Sequence, residues 1–212
     1  MYLGRIVAAG LTPDGKPVAA YRVSSRSFPN RSAVLTNGMI SILPRKGHED
    51  DLSKNPYIAY HCVRLSGKIA LATNGSQTDP IIEKILMGMP ERDAFALSLL
   101  AMDYEKDSLD TPRIAAAVNA ETGICTMGIV RKDAVLVRQF EAKKGALYYL
   151  STYGKNAPCA KQIDEAFAAE DAAGACQYVI DGGLFNDFEN PVTAAAAVWN
   201  GADYELAVKD AD

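Results

Sequence analysis

The chain has 212 residues, 49% of them hydrophobic and 23% charged, with a net charge of −4. That length suits one well-cored domain, residues 1–212, needing no metal or disulfide staple, and the composition excludes intrinsic disorder. The mild acidity argues against a protein built to grip nucleic acid, and no apolar run is long enough for a membrane helix.

The opening residues Met1 to Val7 lack the basic and long apolar regions of a signal peptide, and Cys62, Cys125, Cys159 and Cys176 form no C-x-x-C. A cytoplasmic protein with reduced thiols is expected.

In chain order, strands are expected over residues 3–11 and 18–25, joined at Thr12-Pro13-Asp14-Gly15, a turn signal. Residues 32–35 and 39–43 flank Asn37-Gly38, and residues 57–65 and 68–73 flank Ser66-Gly67, so two further hairpins follow. The period then changes to helical over 80–89 and 91–104, with Pro90 placed where a helix begins. Strands return at 114–118, 125–130, 134–140 and 147–151. Residues 157–169 and 172–180 read as helices, and 193–199 with 204–208 as a last hairpin around Asn200-Gly201. Antiparallel pairs with two helical pairs indicate an α+β fold of packed sheets with helices outside, without a βαβ rhythm.

Two stretches resemble sites without the chemistry to be one. Gly10 to Pro17 spells most of a phosphate-binding loop, but Pro17 stands where a hydroxyl is needed and no helix follows, so it reads as a hairpin turn. His48-Glu49-Asp50-Asp51 reads as a solvated loop.

The informative stretch is Tyr21-Arg22-Val23-Ser24-Ser25-Arg26-Ser27-Phe28-Pro29-Asn30-Arg31. In an extended chain Arg22, Ser24 and Arg26 share a face, offering forked donors and hydroxyls that suit a phosphate. A solvated polar edge is the alternative. Asn74-Gly75-Ser76 lies between a strand and a helix, where backbone N–H groups face an anion or polar ring, or merely cap the helix. Asp103 to Asp107 closes the second helix with Glu105 and Lys106 among acids.

These residues carry a resemblance. Tyr2-Leu3-Gly4-Arg5-Ile6, residues 21–31, Asn55-Pro56-Tyr57-Ile58-Ala59-Tyr60, Asn74-Gly75-Ser76, residues 98–107, Thr111-Pro112-Arg113-Ile114-Ala115-Ala116 and Pro191-Val192-Thr193-Ala194-Ala195-Ala196 together resemble the archaeal-type IMP cyclohydrolases. The resemblance implies a four-layer αββα sandwich like that of the N-terminal-nucleophile hydrolases. It also implies ring closure of 5-formamido-imidazole-4-carboxamide ribotide to inosine monophosphate with loss of water. The usual mechanism of that fold does not follow, because the chain begins Met1-Tyr2 rather than with a nucleophile.

An internal condensation needs no redox or phosphoryl transfer, so no cofactor or metal is expected. It needs the reacting groups held close, a base for the amide proton and a donor for the formyl oxygen. Tyr60 is the candidate donor, Arg22 or Lys106 the nearby positive charge, and Glu105 the proton acceptor. Ser24, Ser25, Arg26, Asn30 and Arg113 are candidates for the phosphate or carboxamide, and Asn74 and Ser76 for the imidazole or ribose. The expected partner is a small purine ribotide, with no nucleic acid or membrane; assembly as a homo-oligomer is left open. An amidohydrolase on the same fold and a non-catalytic ribotide-binding module are the rival readings.

Overall fold

The computed structural model describes residues 1–212. Its strands are β1 (Ile6–Leu11), β2 (Pro17–Ser24), β3 (Arg31–Thr36), β4 (Met39–Pro44), β5 (Tyr60–Ser66), β6 (Ile69–Thr73), β7 (Arg113–Asn119), β8 (Ile124–Arg131), β9 (Ala134–Glu141), β10 (Ala146–Ser151), β11 (Ile163–Asp164), β12 (Pro191–Trp199) and β13 (Tyr204–Asp210). The helices are α1 (Asp51–Lys54), α2 (Thr78–Leu86), α3 (Glu91–Met102) and α4 (Ala172–Asp181). Six strands form one sheet in the order β11-β10-β1-β2-β12-β13, and seven form a second in sequence order from β3 to β9. Every neighbouring pair is antiparallel, which makes the chain α+β with two antiparallel sheets.

The two-residue period of a strand sorts side chains between three cores. From β2, Ala19, Tyr21 and Val23 enter the core between the sheets, where they meet Ile40, Ile42, Cys62 and Ile114 of the second sheet. Val18 and Ala20 turn the other way, beneath α4 and its Ala175, Cys176 and Val179. On the far side of the second sheet, Leu71, Ala115 and Ala117 pack under Ile81, Ile82 and Phe95 of α2 and α3. Runs of alanine in β7 and β12 allow both faces of a strand to be covered closely. No helix is long and apolar enough to cross a membrane.

Asn37-Gly38 and the Thr12–Lys16 turn close hairpins as expected. Two expectations fail. Residues 57–65 are not one strand: Asn55 Oδ1 accepts from Tyr57 N (2.8 Å), Pro56–Ile58 forms a 3-10 turn, and the strand starts at Tyr60. Residues 157–169 are not a helix. Their backbone pairs outward instead, with Ile163–Asp164 along β10 and Phe167 N donating to Gly145 O (3.1 Å), while the Phe167 ring is buried beside α4. Alanine-rich helix propensity is a weak local preference, and burial of Phe167 with edge pairing overrides it.

Candidate active site

A cleft of about 610 Å³, part of it open to solvent, lies where the N-terminal segment meets the ends of both sheets. Arg5, Ser24, Ser25, Ser27, Phe28, Arg31, Asn55, Asp107, Thr111 and Tyr153 are among the residues that line it. Its convergent polar groups suit a small polar ligand.

Arg5 precedes β1 and is held by backbone exchange with the end of β10. Its N donates to Thr152 Oγ1 (3.1 Å), and Thr152 N donates to its carbonyl (3.0 Å). Gly4 allows this approach: its φ is +70°, and a side chain there would collide with Thr152 Oγ1. Glu105 follows α3 on a tight strap. Its N donates to Thr111 O (2.8 Å), while the Asp107 carboxylate accepts from Thr111 N (2.9 Å) and Thr111 Oγ1 (2.6 Å). Thr111 Oγ1 also meets the Tyr153 hydroxyl at 3.1 Å.

The strap carries Glu105 into full burial, where Oε2 accepts from Arg5 Nη2 at 2.9 Å. Its Oε1 has no hydrogen-bond partner; Arg113 Nη1 lies 4.0 Å away. Burial raises the Glu105 pKa above the ordinary carboxylate value, against the pull of Arg5 and Arg113. Arg113 donates to Asp103 O (2.9 Å) and Gln77 Oε1 (3.2 Å), and its guanidinium lies 5.5 Å from the Tyr57 ring centre. A methyl group on Gly75 would sit 2.7 Å from Arg113 Nη1, so the guanidinium keeps this position only while residue 75 lacks a side chain.

Arg31, only 2% exposed, donates Nε to Phe28 O (3.0 Å) and leaves Nη1 buried without a partner. Tyr60 and Tyr21 meet hydroxyl to hydroxyl at 2.6 Å across the inter-sheet core. Burial raises the Tyr60 pKa, while Arg31 and Arg5 oppose that rise. Arg5, Arg31 and Arg113 against Glu105 and Asp107 leave the region net positive. A buried excess of guanidinium with one donor unpaired is an arrangement that an anion can compensate.

Of the expected residues, Ser24 and Ser25 line the cleft, Glu105 lies buried behind it on the cleft-lining Arg5 with Arg113 beyond, and Tyr60 lies near Arg5 and Arg31. Other candidates lie elsewhere. Arg22 does share a face with Ser24, to whose Oγ it donates (2.9 Å), but that face looks toward α4. Its guanidinium donates to the carbonyls of Val179 (3.1 Å), Ile180 (2.8 Å), Phe185 (2.8 Å) and Phe188, and burial lowers its pKa to about 10. The expectation that Arg22 meets substrate is corrected: its donors are saturated by carbonyls at the end of α4.

Asn74 is likewise engaged, donating to Pro112 O (2.9 Å) and accepting from Gln77 Nε2 (2.8 Å) and Ile114 N (2.7 Å). It fixes the Gly75 turn, is fully buried and does not line the cleft. Ser76 is exposed and lines a separate shallow pocket with His61 and Asp79, on which the Tyr60 ring also borders. Lys106 is exposed, paired to Asp103 (2.6 Å) and lying 3.6 Å over the Tyr104 ring. Arg26 is exposed too, bound to Glu189 (3.0 Å) and stacked 4.2 Å over Tyr2. Asn30 lies just before β3, where its carbonyl accepts from Arg45 N (2.9 Å).

Sequence reasoning gave no role to Arg5, Tyr21, Asn55, Thr111 or Tyr153, and did not single out Arg31 among the arginines of its stretch. Arg5 had one signal: a lone cation opening an apolar strand must be buried with a partner.

A family model described as IMP cyclohydrolase-like protein matches residues 2–203. An IMP cyclohydrolase of Methanosphaera stadtmanae is 45% identical over 210 residues, covering 99% of this chain and 100% of the relative. One from Methanocella arvoryzae is 46% identical over 209 residues, 98% of each chain, and one from Methanocaldococcus jannaschii is 41% identical over 214 residues, 99% of each. With the cleft-lining segments and every strand but β13 inside the matched residues, the chain belongs to the IMP cyclohydrolase-like family.

Proposed function

We propose that this chain closes the ring of 5-formamido-1-(5-phosphoribosyl)imidazole-4-carboxamide to inosine monophosphate, releasing water. The carboxamide nitrogen attacks the formyl carbon, forming a C–N bond and giving up one proton as the formyl oxygen takes one, which gives a carbinolamine. The former formamido nitrogen then gives up its proton, the hydroxyl takes a proton and departs as water, and a C=N bond completes the purine ring. An amide nitrogen is a poor nucleophile, so the site must align the groups, accept the proton and stabilise charge on the formyl oxygen.

The observation that carries the reading is Glu105 Oε1, a buried acceptor without a donor on the carboxylate that grips the cleft-lining Arg5. Its raised pKa suits a base that takes the amide proton and releases it with the leaving water. Tyr60 donates to the formyl oxygen, with Arg5 supplying positive charge in place of Arg22 and Lys106. Arg31 Nη1, with the Ser24, Ser25 and Ser27 hydroxyls along the same wall, takes the phosphate. Arg113 holds Glu105 in place from the far side.

Two stacked antiparallel sheets with helices on both outer faces support the four-layer reading, akin to the N-terminal-nucleophile hydrolases, as one domain over residues 1–212. Four unpaired cysteines agree with a cytoplasmic setting and a small-molecule partner. Relatives carrying the cyclohydrolase name at 41–46% identity favour this activity over a silent ribotide-binding module or an amidohydrolase.

The test is to add the purified protein to the formylated ribotide and follow purine-ring absorbance. Turnover is expected, with Tyr60→Phe reducing kcat by about 10²–10³ and leaving KM nearly unchanged. Tight binding without turnover returns the silent-module reading.

A further inference from the structure

We infer that Tyr21 is a positioning residue for the cyclisation: its hydroxyl donates to Tyr60 Oη, 2.6 Å away, and so frees the Tyr60 hydrogen for the substrate. This rests on the donor role proposed for Tyr60.

The two tyrosines come from different sheets, β2 and β5, and meet inside a core that is otherwise almost wholly apolar. Tyr21 is fully buried and its hydroxyl makes no other hydrogen bond. A phenol has a single O–H, so one hydrogen of the pair lies between the oxygens and the other points away. If Tyr60 were the donor, its hydrogen would be locked onto Tyr21, and the Tyr21 hydrogen would be buried with no acceptor. The reverse arrangement leaves no such orphan when substrate is bound. Tyr21 then donates inward, and the Tyr60 O–H is free to turn to the side where Arg5 and Arg31 line the cleft.

Electrostatics favour the same direction. The charged or titratable groups that act on Tyr60 are Arg31 at the start of β3, Arg5 ahead of β1, Tyr21 on β2 and Cys62 on its own strand. The two arginines draw negative charge toward Tyr60 Oη. Burial raises the pKa of both phenols, that of Tyr21 well above its ordinary value, so Tyr21 retains its proton. A donor whose own oxygen accepts a hydrogen bond donates more strongly.

The test uses Tyr21→Phe, which keeps a ring that meets Tyr60 edge-on at 6.3 Å and removes only the hydroxyl. We expect kcat to fall roughly ten-fold with KM within about two-fold, the share of one hydrogen bond acting in the transition state. The ζ-carbon NMR signal of Tyr60, in protein with labelled tyrosine, should titrate roughly half to one pH unit higher, because a donor that stabilised its phenolate is gone. The double variant Tyr21→Phe/Tyr60→Phe should be no slower than Tyr60→Phe alone, since Tyr21 acts through Tyr60. A tyrosine that merely packs would change the melting temperature and leave the Tyr60 titration in place. Full turnover with an unmoved titration in Tyr21→Phe, or additive losses in the double variant, overturns the inference while the Tyr60 role stands. A fully active Tyr60→Phe enzyme overturns both.

Discussion

Arg5 Nη2 and Glu105 Oε2, separated by 100 residues in sequence, meet at 2.9 Å, and the pair is closed on one side only. The second Glu105 oxygen is buried without a donor. Half of this carboxylate anchors the N-terminal segment to the strap after α3, and the other half has no protein partner.

Glu105 sets the acid limit of the reaction. Acting as a base it must be ionised, and burial has raised its pKa, so the acid limb of kcat/KM should lie above the ordinary glutamate range. Glu105→Gln should remove that limb and lower kcat by about 10²–10⁴. The same shift has a stability sign. The folded chain holds this proton more tightly than the unfolded chain, so the contribution favours the fold below the unfolded pKa and is lost as pH rises through the folded one. Thermal unfolding across that window should show a smaller pH dependence in Glu105→Gln.

Arg31 should matter to the ligand and not to the empty fold. Arg31→Lys removes the fork and should weaken inosine monophosphate binding by roughly 1.5–3 kcal/mol in calorimetry. Arg31→Met removes a buried guanidinium with an unpaired nitrogen and should leave the melting temperature of the free protein equal or higher. Undiminished affinity in both variants would place the phosphate elsewhere.

Arg22 should behave in the opposite way. Arg22→Met leaves several buried carbonyls around the end of α4 without a donor. A loss of about 3 kcal/mol follows, or roughly 6–12 °C in Tm at this chain length. Folded Arg22→Met protein should turn over at a rate within a few-fold of the parent; a selective fall in kcat would return Arg22 to the site.

Gly75 tests the packing around Glu105. Its backbone is one that alanine adopts, but the added methyl would press on Arg113 Nη1 and Gln77 Oε1, each 2.7 Å away. Gly75→Ala should fold and displace Arg113, with kcat/KM reduced on the order of 10²-fold by misalignment. Steady-state kinetics beside a melting curve decide it.

The residues that sequence reasoning placed well and badly differ in a physical way. Asn37-Gly38 announces its hairpin because turn geometry is a property of neighbouring residues. Ala157 to Ala169 misled because its alternatives lie outside the segment, in the free edge of β10 and the space beside α4. Arg22 misled for a related reason. Strand periodicity correctly sets it on the face of Ser24, yet nothing local states that this face meets α4 rather than the cleft.

The sequence by itself determined most strands and helices, most hairpin turns, and, through its long resemblance, the family and the reaction. Those depend on short-range periodicity and on runs of residues read directly. Only the tertiary structure decided which cations face the ligand. Arg5 and Arg31 line one cleft from two separate segments, with Arg113 behind Glu105, whereas Arg22 is turned beneath a helix formed by residues 172–181. Guanidinium groups are alike in sequence; burial and the carbonyls or carboxylates brought to them by distant elements determine which are structural and which remain free to bind.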